Sequence, residues 1–182
     1  MDNLDLSSYN HSFSLKNKLA RVLWGIFGLV FFRPFAGRFF KKWRVFVLKC
    51  FGADLQWSSH VYASVKIWAP WHLKMGSYST LGTNVNCYNQ GKITIGNNAV
   101  ISQHVHLCAS SHDYTKADFP LILCPITIGD GVWVAADAFV GPGVQIVNNV
   151  VVAARAVVTK NIAAHQIVGG NPAKWIKNRN EN

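Results

Sequence analysis

Histidine supplies the clearest candidate chemistry in this sequence, which contains seven histidines and four cysteines. Histidine changes charge near neutral pH, so it can transfer protons, and its neutral form binds zinc. His104, His106 and Cys108 alternate along the chain and would therefore share one face of a strand. The cysteines form no CxxC pair and no disulfide framework, which is typical of reduced thiols in a cytosolic protein. No G-x-S-x-G nucleophile motif occurs.

The charge is strongly positive and unevenly distributed. The chain has 18 basic and 8 acidic residues, a formal net charge of +10, and residues 1–51 contain nine of the basic and two of the acidic ones. Such a basic surface suits nucleic acid, anionic lipid or a phosphorylated small molecule. None of the sequence signatures of nucleic-acid-binding modules is present, so we expect no nucleic-acid partner.

The N-terminal segment allows two interpretations. Residues 1–18 are polar, and no signal peptide is evident. The apolar run at 23–32 is too short to span a bilayer and ends at Arg33-Pro34. Residues 19–51 mix aromatic with basic residues, which favours helices lying on an anionic membrane surface. Alternatively, these helices form an amphipathic cap over the open end of a repeat structure. The two roles are compatible.

A period of six residues dominates the second half of the chain. One β-branched aliphatic recurs at Ile128, Val134, Val140, Ile146, Val152 and Val158. A second, small or branched register reads Val132, Ala138, Val144, Val150, Ala156 and Ile162. This spacing fits neither a helix nor a flat strand, but it is typical of a parallel β-helix. The rhythm begins in broken form near residue 75, slips by two residues at 89–92, and is interrupted at 108–127.

These patterns divide the chain into three parts. Residues 1–51 form a polar terminus and a basic, aromatic helical segment. Residues 52–168 form the β-helix, with an excursion loop at 108–127. Residues 169–182 form a tail for which we expect a short helix. Insertions in repeat proteins often carry function, so the excursion loop, which contains His112, is the first place to expect a site.

Five short stretches carry a resemblance to a known family. They are 128–134 (IGDGVWV), 157–160 (VVTK), 170–174 (GNPAK), the loop residues 111–115 with 119–121, and the lead-in Trp43-Arg44 with 51–53. Together they resemble the hexapeptide-repeat acyltransferases, in the sugar O-acetyltransferase branch, and within it the exopolysaccharide acetyltransferases of the colanic-acid type. The resemblance implies a mainly β fold, a left-handed parallel β-helix, and a homotrimer with each active site between neighbouring copies. The cysteine pattern leads us to expect a cytoplasmic location, and the basic aromatic segment one peripheral to the inner face of the membrane if residues 19–51 bind lipid.

The resemblance further implies the reaction. Acetyl-CoA would be a co-substrate, with no permanently bound cofactor, and the acceptor would be a hydroxyl of a sugar, a polysaccharide precursor or a lipid-linked saccharide. Direct attack requires a base for the hydroxyl proton and stabilisation of the oxyanion. His112 matches the position of the family's catalytic histidine, and Asn84 matches an asparagine that contacts the acceptor. Asp113 is a candidate for orienting His112, and its role is left open.

Coenzyme A carries three phosphates, so its site needs cations at one end and small residues along the pantetheine arm. The resemblance assigns the phosphates to Lys160, Lys174 and Lys177. It assigns the arm to Trp133, Ala136, Ala154 and Thr159.

Two other functions fit parts of the sequence. The first is a zinc enzyme of the γ-carbonic-anhydrase type, since three histidines with an open water position form a catalytic zinc site. Its second and third histidines are five residues apart, whereas His106 and His112 are six apart, so we expect no metal site. The second is a non-catalytic trimeric scaffold, which would leave the position of His112 without a role.

Overall fold

A three-sided coil of short parallel strands forms most of this computed structural model, which describes residues 13–180. Most of the polar terminus predicted at residues 1–18, and the last two residues of the tail, lie outside the described residues. Each side of the coil is one sheet of parallel strands, one of which gains a single antiparallel strand near the C-terminus, so the predicted parallel β-helix is confirmed.

The strands stack into three sheets, which we name A, B and C in the order in which the chain enters them. Sheet A contains β1 (Asp54–Leu55), β4 (Leu73–Met75), β7 (Ile93–Ile95), β12 (Ile126–Ile128) and β15 (Gln145–Ile146). Sheet B contains β2 (His60–Val61), β5 (Thr80–Leu81), β8 (Val100–Ile101), β13 (Trp133–Val134), β16 (Val151–Val152), β18 (Gln166–Gly169) and β19 (Lys174–Asn178). Sheet C contains β3 (Lys66–Ile67), β6 (Asn86–Tyr88), β9 (His106–Cys108), β14 (Phe139–Val140) and β17 (Val157–Val158). Outside the coil, β10 (Ser110–His112) and β11 (Leu121–Leu123) form an antiparallel hairpin.

The six-residue period places one aliphatic side chain inside the coil on each side. All twelve residues of the two predicted registers are buried, which confirms the interpretation of the repeat. Three residues after many of the inward aliphatics, the backbone enters the left-handed region, as at Asn84 (φ 57°) and Asp137 (φ 59°). This conformation turns the chain from one sheet to the next, and asparagine and aspartate tolerate it better than most residues.

The coil departs from its regular period at one corner, where the chain passes from sheet C to sheet A. A 3₁₀ helix (Pro70–His72) occupies this C–A corner in the first coil. In the second coil, the predicted slip at 89–92 is stabilised by the buried Asn89. Its amide accepts hydrogen bonds from the Trp68 and Ala69 N–H groups and donates one to the Ala69 carbonyl. The excursion hairpin leaves the third coil at the same corner. Variation in repeats often gathers on the functional face.

Helices cover the open end of the coil. They are α1 (Leu15–Phe27), continued by a π turn (Gly28–Phe32), and α2 (Lys41–Cys50), preceded by a 3₁₀ turn (Arg38–Phe40). In the first coil, the N–H groups of the strands donate to the second coil, so the carbonyls of the same peptide units point the other way and meet no strand. Lys49 Nζ donates to the Leu55 carbonyl at 2.8 Å, Arg44 Nε to Val61 at 2.7 Å, and Trp24 Nε1 to Ile67 at 2.8 Å. The helical segment therefore caps all three sheets, which blocks further strand pairing there.

Arg44 is the central residue of this cap. Its side chain is 1% exposed, and its guanidinium also donates to the Phe35 carbonyl at 2.5 Å and to Gly37 at 3.1 Å. A fourth contact joins Nη2 to His60 Nε2 at 3.4 Å. Burial, and then the neighbouring charges of Lys41 and Arg44, lower the pKa of His60, which favours the neutral imidazole that this contact requires. Arg44 thus joins α2, the loop before it and the first coil.

The prediction of a short C-terminal helix is wrong. Lys174–Asn178 forms β19, which pairs antiparallel with β18. The edge of β18 offers unpaired backbone groups, and a chain that reverses through Gly169-Gly170 satisfies them best as another strand.

We expect Arg44→Ala to lower the free energy of unfolding by about 3 kcal/mol, because it leaves several buried carbonyls without a donor. Urea denaturation followed by circular dichroism measures this. Arg38→Ala, which removes an exposed guanidinium from the same segment, should change stability by less than about 0.5 kcal/mol. Equal stability of the two variants would contradict the role given to Arg44.

Candidate active site

The excursion hairpin holds His112 in one tautomer. His112 is the last residue of β10 and pairs with Leu121 of β11. Its Nδ1 lies 2.6 Å from the backbone carbonyl oxygen of Phe119. A carbonyl can only accept a hydrogen bond, so Nδ1 carries the hydrogen. In the neutral ring, Nε2 therefore carries the lone pair, and this is the atom that can accept a proton.

Phe119 belongs to one of the stretches that carry the resemblance, but no role in the site was predicted for it. Its backbone has φ 43°, in the left-handed region that a bulky side chain rarely adopts. This conformation belongs to the turn that directs the carbonyl at His112. Strained backbone at such a position is common in active sites. The role belongs to a backbone atom, so no side-chain type could have revealed it.

Asp113 does not supply the hydrogen bond to the Nδ1 of His112 that an orienting carboxylate would. Its carboxylate accepts hydrogen bonds from the backbone N–H of Thr115 at 3.1 Å and from the Thr115 hydroxyl at 2.5 Å. These two hydrogen bonds, the side-chain one first, lower the pKa of Asp113. Asp113 therefore stabilises the turn of the hairpin, and the Phe119 carbonyl is the group that orients the imidazole.

Two further predicted residues lie on the same corner as the hairpin. Thr159 and Lys160 follow β17, where the chain turns from sheet C towards sheet A, and both are exposed. The base of the hairpin contacts this corner one coil earlier, because the Gly143 N–H donates to the Cys124 carbonyl at 3.2 Å. His112, Thr159 and Lys160 are therefore distributed along the C–A corner.

Most of the other predicted residues lie along the corner between sheets B and C. Asn84, Ala136 and Ala154 occupy it in the second, fourth and fifth coils. Lys174 follows at the end of β18, where it pairs with Gly169. Trp133 lies beside this corner on the outer face of sheet B, and its indole N–H donates to the Ser102 hydroxyl at 2.9 Å. Lys177 lies further along β19, paired with Ile167.

Arg155 adds an exposed cation that sequence reasoning missed. It follows Ala154 directly and occupies the left-handed position of the B–C corner, at φ 59°. Counting in steps of six residues from Asn84 predicts that Arg155 lies at the same corner. The count works only after the slip at 89–92 and the excursion loop at 108–127 are allowed for. Together, Arg155 and Lys174 give a positive charge to the end of this corner that lies farthest from the helical cap, which we call its lower end.

The single chain thus divides the predicted site between two corners. Asn84 precedes β6, whereas the His112 hairpin follows β9, and these adjacent strands of sheet C are parallel. The two corners therefore lie at opposite ends of the strands of sheet C. One strand with its turns separates them by roughly 15–20 Å. Lys160 and Lys174 are separated by the same sheet.

The outer faces of the sheets differ in polarity. Sheet A presents Asp54 and Lys74, which form a 3.0 Å ion pair, followed by Thr94, Thr127 and Gln145. From the second coil onwards, sheet C presents Asn86, His106, Phe139 and Val157, all half-buried. The His106 ring contacts Tyr88 and Phe139 edge-on, and burial lowers its pKa. Compared with sheet A, sheet C therefore has the less polar outer face, and its side chains are partly desolvated.

The histidines do not converge on a metal site. His104 lies on the B–C corner, His106 on the outer face of sheet C, and His112 on the hairpin. Within residues 13–180, no group of three His, Cys, Asp or Glu side chains is placed to hold a metal ion. Within one copy of the chain, His104, His106 and His112 therefore do not lie together.

A parallel β-helix built on a six-residue repeat is the architecture of the hexapeptide-repeat acyltransferases. The sequence matches no protein-family model. It is 44% identical over 140 residues to WcaF of Escherichia coli K12, named as an acetyltransferase of colanic acid biosynthesis, and the match covers 77% of each chain. The chain belongs to the hexapeptide-repeat acetyltransferase family, as the resemblance predicted, and is therefore an acyltransferase rather than a scaffold.

Solved structures of other proteins have the same fold as this chain. A maltose O-acetyltransferase from Clostridium difficile 630 superposes with a TM-score of 0.80 at 22% identity, covering 92% of this chain and 90% of that one. The hexapeptide-repeat acetyltransferase VCA0836 of Vibrio cholerae, solved with acetyl coenzyme A, gives a TM-score of 0.79 at 22% identity, covering 95% and 94%. These likenesses confirm the left-handed β-helix.

The tautomer of His112 can be tested directly. We expect nitrogen NMR of the wild-type protein to show the hydrogen on Nδ1 of the neutral ring, because the Phe119 carbonyl can only accept. Asp113→Asn should leave this tautomer unchanged. A hydrogen on Nε2, or a tautomer that changes in the Asp113 variant, would contradict the orientation described above.

Proposed function

We propose that this chain transfers an acetyl group from acetyl-CoA to a hydroxyl of a sugar or saccharide precursor, with His112 as the general base. The observation that carries the proposal is the 2.6 Å hydrogen bond between His112 Nδ1 and the Phe119 carbonyl, on a hairpin at the edge of the coil. It leaves Nε2 as the proton acceptor and fixes the plane of the ring. Relatives named for colanic acid biosynthesis and for maltose support a saccharide acceptor, free or lipid-linked.

The reaction needs no covalent enzyme intermediate. Nε2 of His112 removes the proton of the acceptor hydroxyl as its oxygen bonds to the thioester carbonyl carbon. The tetrahedral oxyanion then collapses, the carbon–sulfur bond breaks, and the imidazolium returns the proton to the departing sulfur. The products are the acetyl ester and coenzyme A. Throughout, the Phe119 carbonyl accepts from Nδ1 and so stabilises the positive imidazolium. Holding both substrates in one groove supplies a further share of the acceleration.

Two copies of the chain are needed to complete the groove. A three-fold axis running parallel to the coil and facing sheet C would bring the C–A corner of one copy against the B–C corner of the next. The half-buried outer face of sheet C suits this axis better than the charged face of sheet A. His112, Thr159 and Lys160 would then face Asn84, Ala136 and Ala154 of the neighbouring copy, in a homotrimer with three sites.

The same arrangement explains the distribution of cations. Lys160 of one copy and Arg155 and Lys174 of the next would flank the lower end of one groove, where they can bind the coenzyme phosphates. Lys177 would extend the same surface along β19. Ala136 and Ala154 leave room on the corner for the pantetheine arm, with Trp133 and Thr159 at its sides. Asn84, at the upper end with His112, is placed to contact the acceptor.

His112→Asn should lower kcat for acetyl transfer by about 10²- to 10⁴-fold, because it removes the proton acceptor. Coenzyme A binding, measured by calorimetry, should remain as in the wild type. His165→Asn is the matched control, since His165 is exposed at the corner between sheets A and B. A variant His112→Asn that keeps its activity within a few-fold would refute the base assignment.

Lys160→Glu and Lys174→Glu should each weaken coenzyme A binding about tenfold, since each replaces a phosphate-binding cation by an anion. Lys42→Glu, which makes the same charge change on the helical cap, should leave the affinity unchanged. Calorimetric titration of the four proteins with coenzyme A provides the comparison. Equal weakening in all three variants would mean that only the net charge matters, and the assigned phosphate site would be wrong.

A further inference from the structure

The cap helices are apolar on the side that faces away from the protein. The inner side of α1 and its π turn packs through Trp24, Gly28 and Phe32, which are buried. The outer side carries a stripe at alternating spacings of three and four residues, which one face of a helix presents. The stripe is Leu15, Leu19, Val22, Ile26 and Leu29, and Val30 lies directly beside its end; each of the six is between 51 and 72% exposed. An ordinary surface helix would be polar there.

The second part of the cap continues this apolar surface with aromatic side chains. Phe39 is 98% exposed at the 3₁₀ turn before α2, and Phe40, Trp43 and Phe46 are partly exposed beside it. An apolar cleft between the two helical parts is lined by Phe27, Phe31, Trp43 and Phe46, among others. A contiguous exposed apolar surface rimmed by polar residues is typical of an interaction site.

The charges around the stripe indicate what covers it. The chain has no aspartate or glutamate from residue 6 to residue 53. Lys16 and Lys18 flank the stripe on the helix surface, and Arg33, Arg38 and Lys42 are exposed nearby. A second copy of the stripe would bring these cations against like charges, with no acidic residues to pair them. An anionic lipid surface, in contrast, takes both the cations and the apolar and aromatic side chains.

We propose that the helical cap, residues 15–46, docks the protein on an anionic lipid bilayer. The outer stripe of α1 and the aromatic side chains around Phe39 enter the boundary between headgroups and acyl chains. The flanking lysines and arginines bind lipid phosphates. None of the helices within residues 13–180 is long and apolar enough to cross a bilayer. The docked cap would lie along the surface, as amphipathic helices of this kind do. In the proposed trimer, three caps would act together and strengthen the docking.

The test is flotation of the full chain with vesicles of phosphatidylcholine alone or mixed with phosphatidylglycerol. We expect binding to the anionic vesicles only, weakened by high salt. Leu19→Gln combined with Ile26→Gln should lower the partition coefficient at least about tenfold, since both side chains point away from the fold. Val100→Gln combined with Val147→Gln is the control, because it removes two exposed apolar side chains from the coil, away from the cap, and should bind as the wild type does.

Equal binding to neutral and anionic vesicles, or a Leu19/Ile26 variant that binds like its control, would overturn the proposal. It would also be overturned if the wild type bound no vesicles but formed assemblies in solution that the Leu19/Ile26 variant lost, since the stripe would then be a contact between copies. The variant should retain acetyl transfer to a water-soluble acceptor. Docking and catalysis are thereby tested separately.

Discussion

Each coil must close after three short sides, because only then do its backbone N–H and C=O groups meet those of the next coil in register. This constraint fixes which residues lie above one another and allows irregular chain only at the corners. It also leaves an open edge at the first coil, where no further strand supplies hydrogen-bond donors. Lys49, Arg44 and Trp24 supply one donor to each sheet there, so the cap depends on the same geometry as the repeat.

The position of the proposed site follows from the corners. Only at a corner can the chain add residues without disrupting the ladders, and here the additions gather between sheets C and A. The hairpin that carries His112 is the largest of them. The B–C corner stays regular, so the small residues Ala136 and Ala154 stack along it and leave space beside the coil. The C–A corner with its hairpin and the regular B–C corner lie on opposite sides of sheet C. They are therefore suited to meet between two copies of the chain rather than within a single copy.

The inward positions of the coil could be predicted from the sequence, because each side requires one aliphatic residue and the spacing reports it directly. The position of His112 in an excursion loop could be predicted for the same reason, since the rhythm stops before it and resumes after it. The contact with the Phe119 carbonyl could not, because it depends on backbone torsion angles in a turn. The strand in the tail could not be predicted, because it forms only where the edge of β18 offers unpaired backbone groups, and no local pattern in the tail reports that edge.

The most direct test of the account is to co-express two variants that damage opposite corners, His112→Asn and Ala154→Trp, in equal amounts with different affinity tags. Each variant alone should be nearly inactive, the first lacking the base and the second having its groove filled by an exposed side chain. If sites form between copies, random trimers should recover about a quarter of the wild-type activity, because that share of interfaces joins two undamaged corners. Mixed trimers that carry both tags but recover no activity would show that each site lies within a single chain.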